Sequence, residues 1–381
     1  MDGIFAMVLT GLAAAGVLYQ LVALVLVLRF FAPRAQPGED MVPGGVRAAA
    51  VSVLKPLHGA EPRLFDNLAS FLDAAHDGPL QLVCGVNEPA DGAVPIVAAL
   101  RAARPQADIA LGTGPRAPGA NGKIGNCIAM LPQARHEVLV LSDSDISVPA
   151  DYWAAVLAAL DRPGVGAVTC LYTARGDAGL WSELGAAAIA YSTMPAMVVG
   201  LVTGLAQPCT GATIALRRET LRAIGGFERF AQTLADDHAI GRAVRDQGLA
   251  VAVPPLLVVH AGAERSPGEL WRHHLRWMVT LRSLAGAGHY GSVVTHALPL
   301  ALLAAVFRPS AGLVLAAAAL CARLALAVTV DRIDGRRSAR LWLLPLADGI
   351  EFVIFCASLA ARRIDWRGTS LTMARGGRIT A

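Results

Sequence analysis

Charge is scarce in this chain. Only 16% of its 381 residues are charged while 55% are hydrophobic, and mean hydropathy is +0.50. That balance is too apolar for an ordinary soluble enzyme. The net charge is only +4 and the arginines sit beside apolar runs, which argues for membrane flanks and against a nucleic-acid patch. None of the six cysteines (84, 127, 170, 209, 321 and 356) forms a Cys-x-x-Cys pair. Their wide spacing argues against structural zinc and a disulfide framework, and fits a reducing compartment. No internal repeat is visible.

Charge is missing altogether from Gly3 to Leu28, a run long enough to cross a bilayer. Asp2 precedes it and Arg29, Arg34 and Arg47 follow, so residues 1–32 read as an anchor with the N-terminus outside. A cleaved signal peptide has a shorter apolar region and a basic start. A Pro/Gly-rich linker (33–47) leads to a cytoplasmic block, 48–264, then an interfacial region, 265–290. Three apolar segments follow within 291–361: Gly291 to Phe307, Pro309 to Val330 and Leu341 to Ala361. Arg323, Asp348 and Glu351 inside them are costly in hydrocarbon and should face other helices or the interface. Arg332, Arg336, Arg337 and Arg340 hold the loop before the last segment inside. The basic tail, 362–381, also favours the inside, so 341–361 is left either spanning or re-entrant. Leu184 to Gln207 also lacks charge, but a crossing there would separate Asp143 and Asp145 from Asp236. An amphipathic or partly inserted segment is expected, with a buried core helix as the alternative.

The cytoplasmic block alternates apolar strands and amphipathic helices. Strands are expected ending at Lys55-Pro56, over Leu80 to Val86, Ile109 to Leu111, Val138 to Leu141, Val165 to Leu171 and Ile214 to Leu216. Helices are expected over Glu61 to Ala75, Pro95 to Ala103, Gly125 to Leu131 and Ala150 to Leu160. This alternation predicts an α/β, Rossmann-like, mostly parallel sheet.

Val138 to Leu141 ends at Ser142, and Asp143 and Asp145 follow with one residue between them. Two carboxylates about 6–7 Å apart at a strand's carboxyl end call for a cation between them. Oxygen ligands suit Mg²⁺ or Mn²⁺; a solvated turn is the ordinary alternative. His260, closing the apolar Leu256 to Val259, is a candidate imidazole ligand, with a core histidine as the alternative. Glu88 and Asp91, beyond the second strand, could accept hydrogen bonds from a nucleobase or ribose. Gly119 to Asn126 places Lys123 and Asn126 where a helix start can meet a phosphate. Gly211 and Thr213 lie in a small-residue stretch that lets an acceptor or sugar approach the backbone. Asp236 and Asp237 open a helix, where capping competes with a general-base role. Trp271 to Trp277 is a charged, aromatic helix before the membrane, able to set Arg276 on a diphosphate.

Asp143-Ser144-Asp145, then Asp236-Asp237, then His273-His274-Leu275-Arg276-Trp277, in this order after an anchor, resembles the membrane-bound family 2/21 glycosyltransferases with a GT-A fold. The chain is most similar to the ceramide glucosyltransferase-like branch, and within it to the bacterial hopanoid-biosynthesis-associated enzymes. Pro56-Leu57-His58-Gly59, Gly122 to Asn126 and Gly225-Gly226-Phe227 also match. The resemblance covers about residues 48 to 290 and the hydrophobic layout at both ends. It implies that Glu88 contacts uracil or ribose, Asp143 and Asp145 serve metal and diphosphate, and Asp237, or else Asp236, is the base. Arg276 and Trp277 fill the Q/R-x-x-R-W role with the donor. Glu88 replaces an Asp of the pattern, and His273, an acceptor-side candidate with Gly211 and Thr213, replaces Gln or Arg.

The expectation is therefore an inverting transferase in a bacterial inner membrane, multi-pass, with its catalytic domain cytoplasmic. It would move GlcNAc or glucose from a UDP-sugar to the hydroxyl of a membrane lipid, a hopanoid polyol such as bacteriohopanetetrol or else ceramide. A transporter would place its charges inside the spans rather than in an α/β block. A non-catalytic lipid-binding protein would not need aspartates at strand ends.

Overall fold

The computed structural model describes residues 2–32, 49–113 and 121–361, with strands at 363–366, 369–373 and 379–380. The linker 33–47, residues Gly119 and Ala120, and the tail arginines Arg362, Arg367, Arg375 and Arg378 lie outside the described residues. The chain forms two compact units, Pro33–Tyr172 with Gln207–Ala261, and Met1–Ala32 with Thr173–Ala206 and Gly262–Ala381.

The first unit is built on β1 (Val51–Pro56), β2 (Leu80–Val86), β3 (Asp108–Thr113), β4 (Val138–Leu141), β5 (Ile146–Ser147) and β6 (Val165–Val168). After β7 (Leu171–Gly176), which leads out of it, come β8 (Ile214–Arg217), β9 (Ala250–Ala252) and β10 (Leu257–Gly262). Seven of these form one sheet in the order β3-β2-β1-β4-β8-β6-β9. All neighbours are parallel except β4 with β8 and β8 with β6. The sheet is thus mostly parallel, with β8 reversed beside the central strand. Its inner strands are apolar on both faces because helices cover both. Val51, Val53, Val138 and Val140 pack with Leu68 and Phe71 of the helix Leu64–Asp73. Leu54, Leu139 and Leu141 point the other way, onto Ile124 and Cys127 of the helix Gly122–Met130. The apolar run expected as one strand from Val165 to Leu171 is broken, with Thr169 Oγ1 accepting from the Thr210 N–H (3.0 Å).

Among the described residues, the second unit holds four helices long and apolar enough to cross a membrane: Gly3–Phe30, Leu180–Thr203, Pro309–Asp334 and Leu341–Ala360. A fifth arises if Ala287–Thr295 and Ala297–Phe307, bent by 72° at their junction, count as one span. Residues 184–206 of the uncharged segment group with these apolar helices. Its most apolar window is 61% buried, against 28% for Gly3–Phe30, so most of it packs as a core helix. Only its end is apolar and open: Val202 is 50% and Leu205 85% exposed. The basic tail contributes three antiparallel strands, β11 (Arg363–Trp366), β12 (Thr369–Met373) and β13 (Ile379–Thr380), that its composition did not announce.

Buried charge fastens these helices together. Leu180–Thr203 widens into a π-helical turn at Ile189–Thr193, which loosens the regular backbone ladder. Arg323, on Pro309–Asp334, donates through Nη1 to the Tyr191 carbonyl of that turn and pairs with Asp348 of the helix Leu344–Ala360 (2.7 Å). Glu351 meets His274 Nδ1 at 2.6 Å. All three charges expected to avoid hydrocarbon do so by facing other helices. Truncating one partner of such a pair strands the other. Arg323→Met should therefore lower unfolding stability in detergent by about 3–5 kcal/mol. Arg323→Met with Asp348→Leu should recover most of that loss; a double variant as unstable as the single one would contradict the pairing.

Candidate active site

Each chemical group of the site sits just beyond the end of a regular element. β4 stops where the Ser142 hydroxyl turns to donate to the Ala212 carbonyl (2.8 Å). Beneath the following loop lies Lys55, fully buried, whose Nζ donates to Ser142 Oγ (3.0 Å), the Asp143 carbonyl (2.7 Å) and the Ile146 carbonyl (3.3 Å). Its ammonium also lies 3.9 Å from the centre of the Phe71 ring. Burial pushes its pKa down to about 7, against the upward pull of Asp145 and Asp143. In the sequence Lys55 marks only the end of a strand; a lysine closing an otherwise apolar strand is the signal of its buried role.

Asn121 caps the helix Gly122–Met130, its Oδ1 accepting from the N–H groups of Lys123 (3.0 Å) and Ile124 (3.2 Å). The cap aims Lys123 inward. Its Nζ lies 2.7 Å from Asp143 Oδ1 and 3.1 Å from Asp236 Oδ2. Burial alone would lower the Lys123 pKa, but Asp143, Asp236 and Asp237 outweigh it and hold the ammonium charged. Asp236 is enclosed, its Oδ1 accepting from Asn121 Nδ2 at 3.1 Å. Asp237, half-buried, accepts from the N–H of Gly211 (3.0 Å) and of His238 (2.7 Å). Burial, then the neighbouring Asp236 charge, raises its pKa to about 6. Burial also raises that of Asp143; Lys123 opposes the rise and Asp145 adds to it.

Gly211 joins the two acidic elements. Its carbonyl accepts from the Asp143 N–H (3.0 Å) while its own N–H holds Asp237. A side chain has no room there, since a Cβ would stand 2.3 Å from Asp143 Oδ2 and 2.8 Å from Lys123 Nζ. His260 on β10 lies opposite Ile146 of β5, and its Nε2 is 3.2 Å from Asp145 Oδ2. His260 thus lies beside the acidic pair. Asp143, Asp145 and His260 offer carboxylate oxygens and an imidazole at one edge, a donor set that fits Mg²⁺ or Mn²⁺.

Other expected residues are spent elsewhere. Thr213 is fully buried and shares a hydrogen bond with Tyr152 (3.1 Å), which leaves the acceptor role expected of it no surface to act through. Asn126 is 3% exposed and donates to the Gly85 carbonyl (2.7 Å), so its amide braces β2 rather than opening toward a donor. Asp91 ties two loops, its Oδ1 accepting from Gly59 N–H and Ala93 N–H, both at 2.8 Å. Glu88 is exposed at the end of β2. His273, Arg276 and Trp277 belong to the other unit, on the helix Pro267–Ala285. There the His273 and Trp277 rings, one turn apart, are 4.4 Å between centroids, and His273 bonds to Glu264. Burial chiefly, despite Glu264, lowers the His273 pKa to about 4 and keeps it neutral. Donor atoms of Glu264, His273 and His274 lie within 4.8 Å of one another, a group that could hold a metal ion.

The mostly parallel sheet is that of a GT-A-like glycosyltransferase fold. The chain matches Glycosyl transferase family 21 over residues 8–379 and belongs to that family. It is similar to ceramide glucosyltransferase 1 of Caenorhabditis elegans (24% identical over 260 residues, 66% of this chain and 53% of the relative). It is also similar to ceramide glucosyltransferase 3 of the same organism (26% over 213 residues, 53% and 44%). The matched regions thus span about half the length of these curated relatives. Among solved structures, the mannosyltransferase PcManGT from Pyrobaculum calidifontis in complex with GDP-Man and Mn²⁺ shares the fold. Its TM-score is 0.54, at 19% identity, covering 94% of this chain and 99% of that one.

The close approach at Gly211 makes a prediction. Gly211→Ala should displace Asp143 or Lys123 and lower turnover at least about 10²-fold, since small misplacements of reacting groups are costly. Its circular dichroism and melting should stay near those of the native protein; undiminished turnover would show the contact to be unimportant.

Proposed function

We propose that the protein transfers a sugar, GlcNAc or glucose, from a UDP-sugar to the hydroxyl of a membrane lipid with inversion at the anomeric carbon. The observation that carries this reading is Asp237: half-open, fixed by two backbone N–H groups, and clipped through Gly211 to the loop of Asp143. A carboxylate with a pKa of about 6 is ionised at neutral pH yet basic enough to take a proton. Asp237 removes the proton of the attacking hydroxyl. The oxygen bonds the anomeric carbon as the bond to the nucleoside diphosphate breaks, in one displacement without a covalent enzyme intermediate. Asp236 is less accessible to an acceptor hydroxyl, because burial encloses it and Lys123 and Asn121 lie against its oxygens. Lys123 places a fixed positive charge beside Asp143. Asp143, Asp145 and His260 would hold the divalent cation, which when bound offsets charge on the departing diphosphate.

The donor side would use Glu88, exposed at the carboxyl edge of the sheet. Several span-length apolar helices in the same chain support a membrane lipid as the acceptor. A hopanoid polyol is the acceptor we favour. Ceramide is the second reading, favoured by the similarity to ceramide glucosyltransferases. The enzyme would sit in a bacterial inner membrane with the sheet on the cytoplasmic side.

Asp237→Asn keeps the shape and one accepting oxygen, so one of the two backbone hydrogen bonds is retained, but it takes no proton. UDP-sugar binding should persist in calorimetry while transfer falls at least about 10²-fold. An active Asp237→Asn alongside a dead Asp236→Asn would move the base by one residue. Because the raised pKa of Asp237 means loss of the ionised form as pH falls, native kcat/KM should drop as pH decreases through about 6. A profile flat from pH 5 to 8 would contradict the assignment.

A further inference from the structure

At the end of Pro309–Asp334 the second unit carries a basic cavity that none of the chemistry above uses. It measures about 440 Å³, within the roughly 300–1,000 Å³ of ligand-sized pockets. Val328 and Leu341 are the apolar residues of its lining, and Arg332, Arg336 and Arg337 line it as well. Asp331 also lines it, but its Oδ1 is taken by the Tyr191 hydroxyl (2.7 Å) and the Ser338 N–H (3.2 Å). Arg336 is pinned by Asp334 (2.8 Å) and donates to Thr173 Oγ1 (2.8 Å), while its Nη1, shielded from solvent, has no hydrogen-bond partner among the described residues. Arg332 and Arg337 are exposed and make no ion pair among the described residues. Next to Leu341, Trp342 is 68% exposed, with the Arg340 guanidinium 5.2 Å from its ring centre.

We infer that this cavity binds the headgroup of an anionic phospholipid. An ordinary positive flank needs only solvated arginines, which a bilayer surface attracts without a pocket. Here the cations converge on a cavity with apolar lining at the end of a span-length helix. A tryptophan of the kind that sits at headgroup depth follows directly in the chain. Guanidinium groups match phosphate oxygens two at a time, and Val328 and Leu341 offer contact to the first carbons of the acyl chains. The ligand is a phosphodiester carried by a lipid, not the glycosyl acceptor. The inference extends the membrane reading without depending on which sugar or acceptor is used.

Native mass spectrometry of the full chain in neutral detergent, titrated with phosphatidylglycerol or phosphatidylcholine, tests it. Phosphatidylglycerol should bind preferentially. Arg332→Gln with Arg337→Gln should weaken it about 25-fold, at roughly fivefold per arginine near an anionic surface, with phosphatidylcholine adducts unchanged. Arg332→Lys with Arg337→Lys should retain most of the preference, which separates lost charge from lost fold. UDP-sugar binding in the Gln variant should match the native protein, so failure here is distinguishable from failure of the proposed reaction. Equal binding of both lipids, a Gln variant that binds phosphatidylglycerol as the native chain does, or displacement by inorganic phosphate at lipid-like concentrations would each overturn the inference.

Discussion

The candidate site depends on one ammonium group among carboxylates. Lys123 lies against Asp143 and Asp236, and these acids with Asp237 could not share so small a volume in ionised form without it. Asn121 sets this lysine, capping its helix with one amide atom and reaching Asp236 with the other. Gly211 then converts the charge cluster into a geometry, holding the backbone of Asp143 and the side chain of Asp237 from a single residue. Lys55 supports the same loop from below. Two lysines therefore serve one acidic edge, the first among its carboxylates and the second beneath its backbone.

A comparable economy holds the apolar unit. Arg323 meets a carbonyl at the π-helical turn, the Asp348 carboxylate and, through its second terminal nitrogen, the hydroxyl of Ser192. Breaks in a regular helix are tolerated in apolar surroundings when another group satisfies the freed backbone. The charges that composition marks as costly are thus the ones that fix how these helices meet. Such pairs favour one arrangement over others while adding little net stability compared with an apolar replacement.

Much of the catalytic unit could be read in advance because its signals are local. The bounds of β2 and β4 follow directly from apolar runs closed by turn residues, and Asp143, Asp145, Asp236 and Asp237 stand out as acids at element ends. The pairing of His260 with Asp145 required register between β5 and β10, which lie more than a hundred residues apart. A lone histidine could be nominated but not placed. The reversed direction of β8 left no mark in the sequence, since a buried strand is apolar whichever way it runs. Thr213 and Asn126 misled for a related reason: small polar residues near a site serve the backbone as readily as a ligand. The segment 184–207 was recognisable as apolar, yet its partners became visible only when distant helices were brought beside it.

The central claim is chemical: one displacement, driven by Asp237, onto a lipid. It is tested most directly by incubating the purified protein with an isotopically labelled UDP-sugar and membrane lipids, then determining by NMR the anomeric configuration of any lipid-linked sugar. The account predicts a β-glycoside formed from the α-linked donor. An α-linked product, or a labelled sugar released to water with no lipid product, would contradict it.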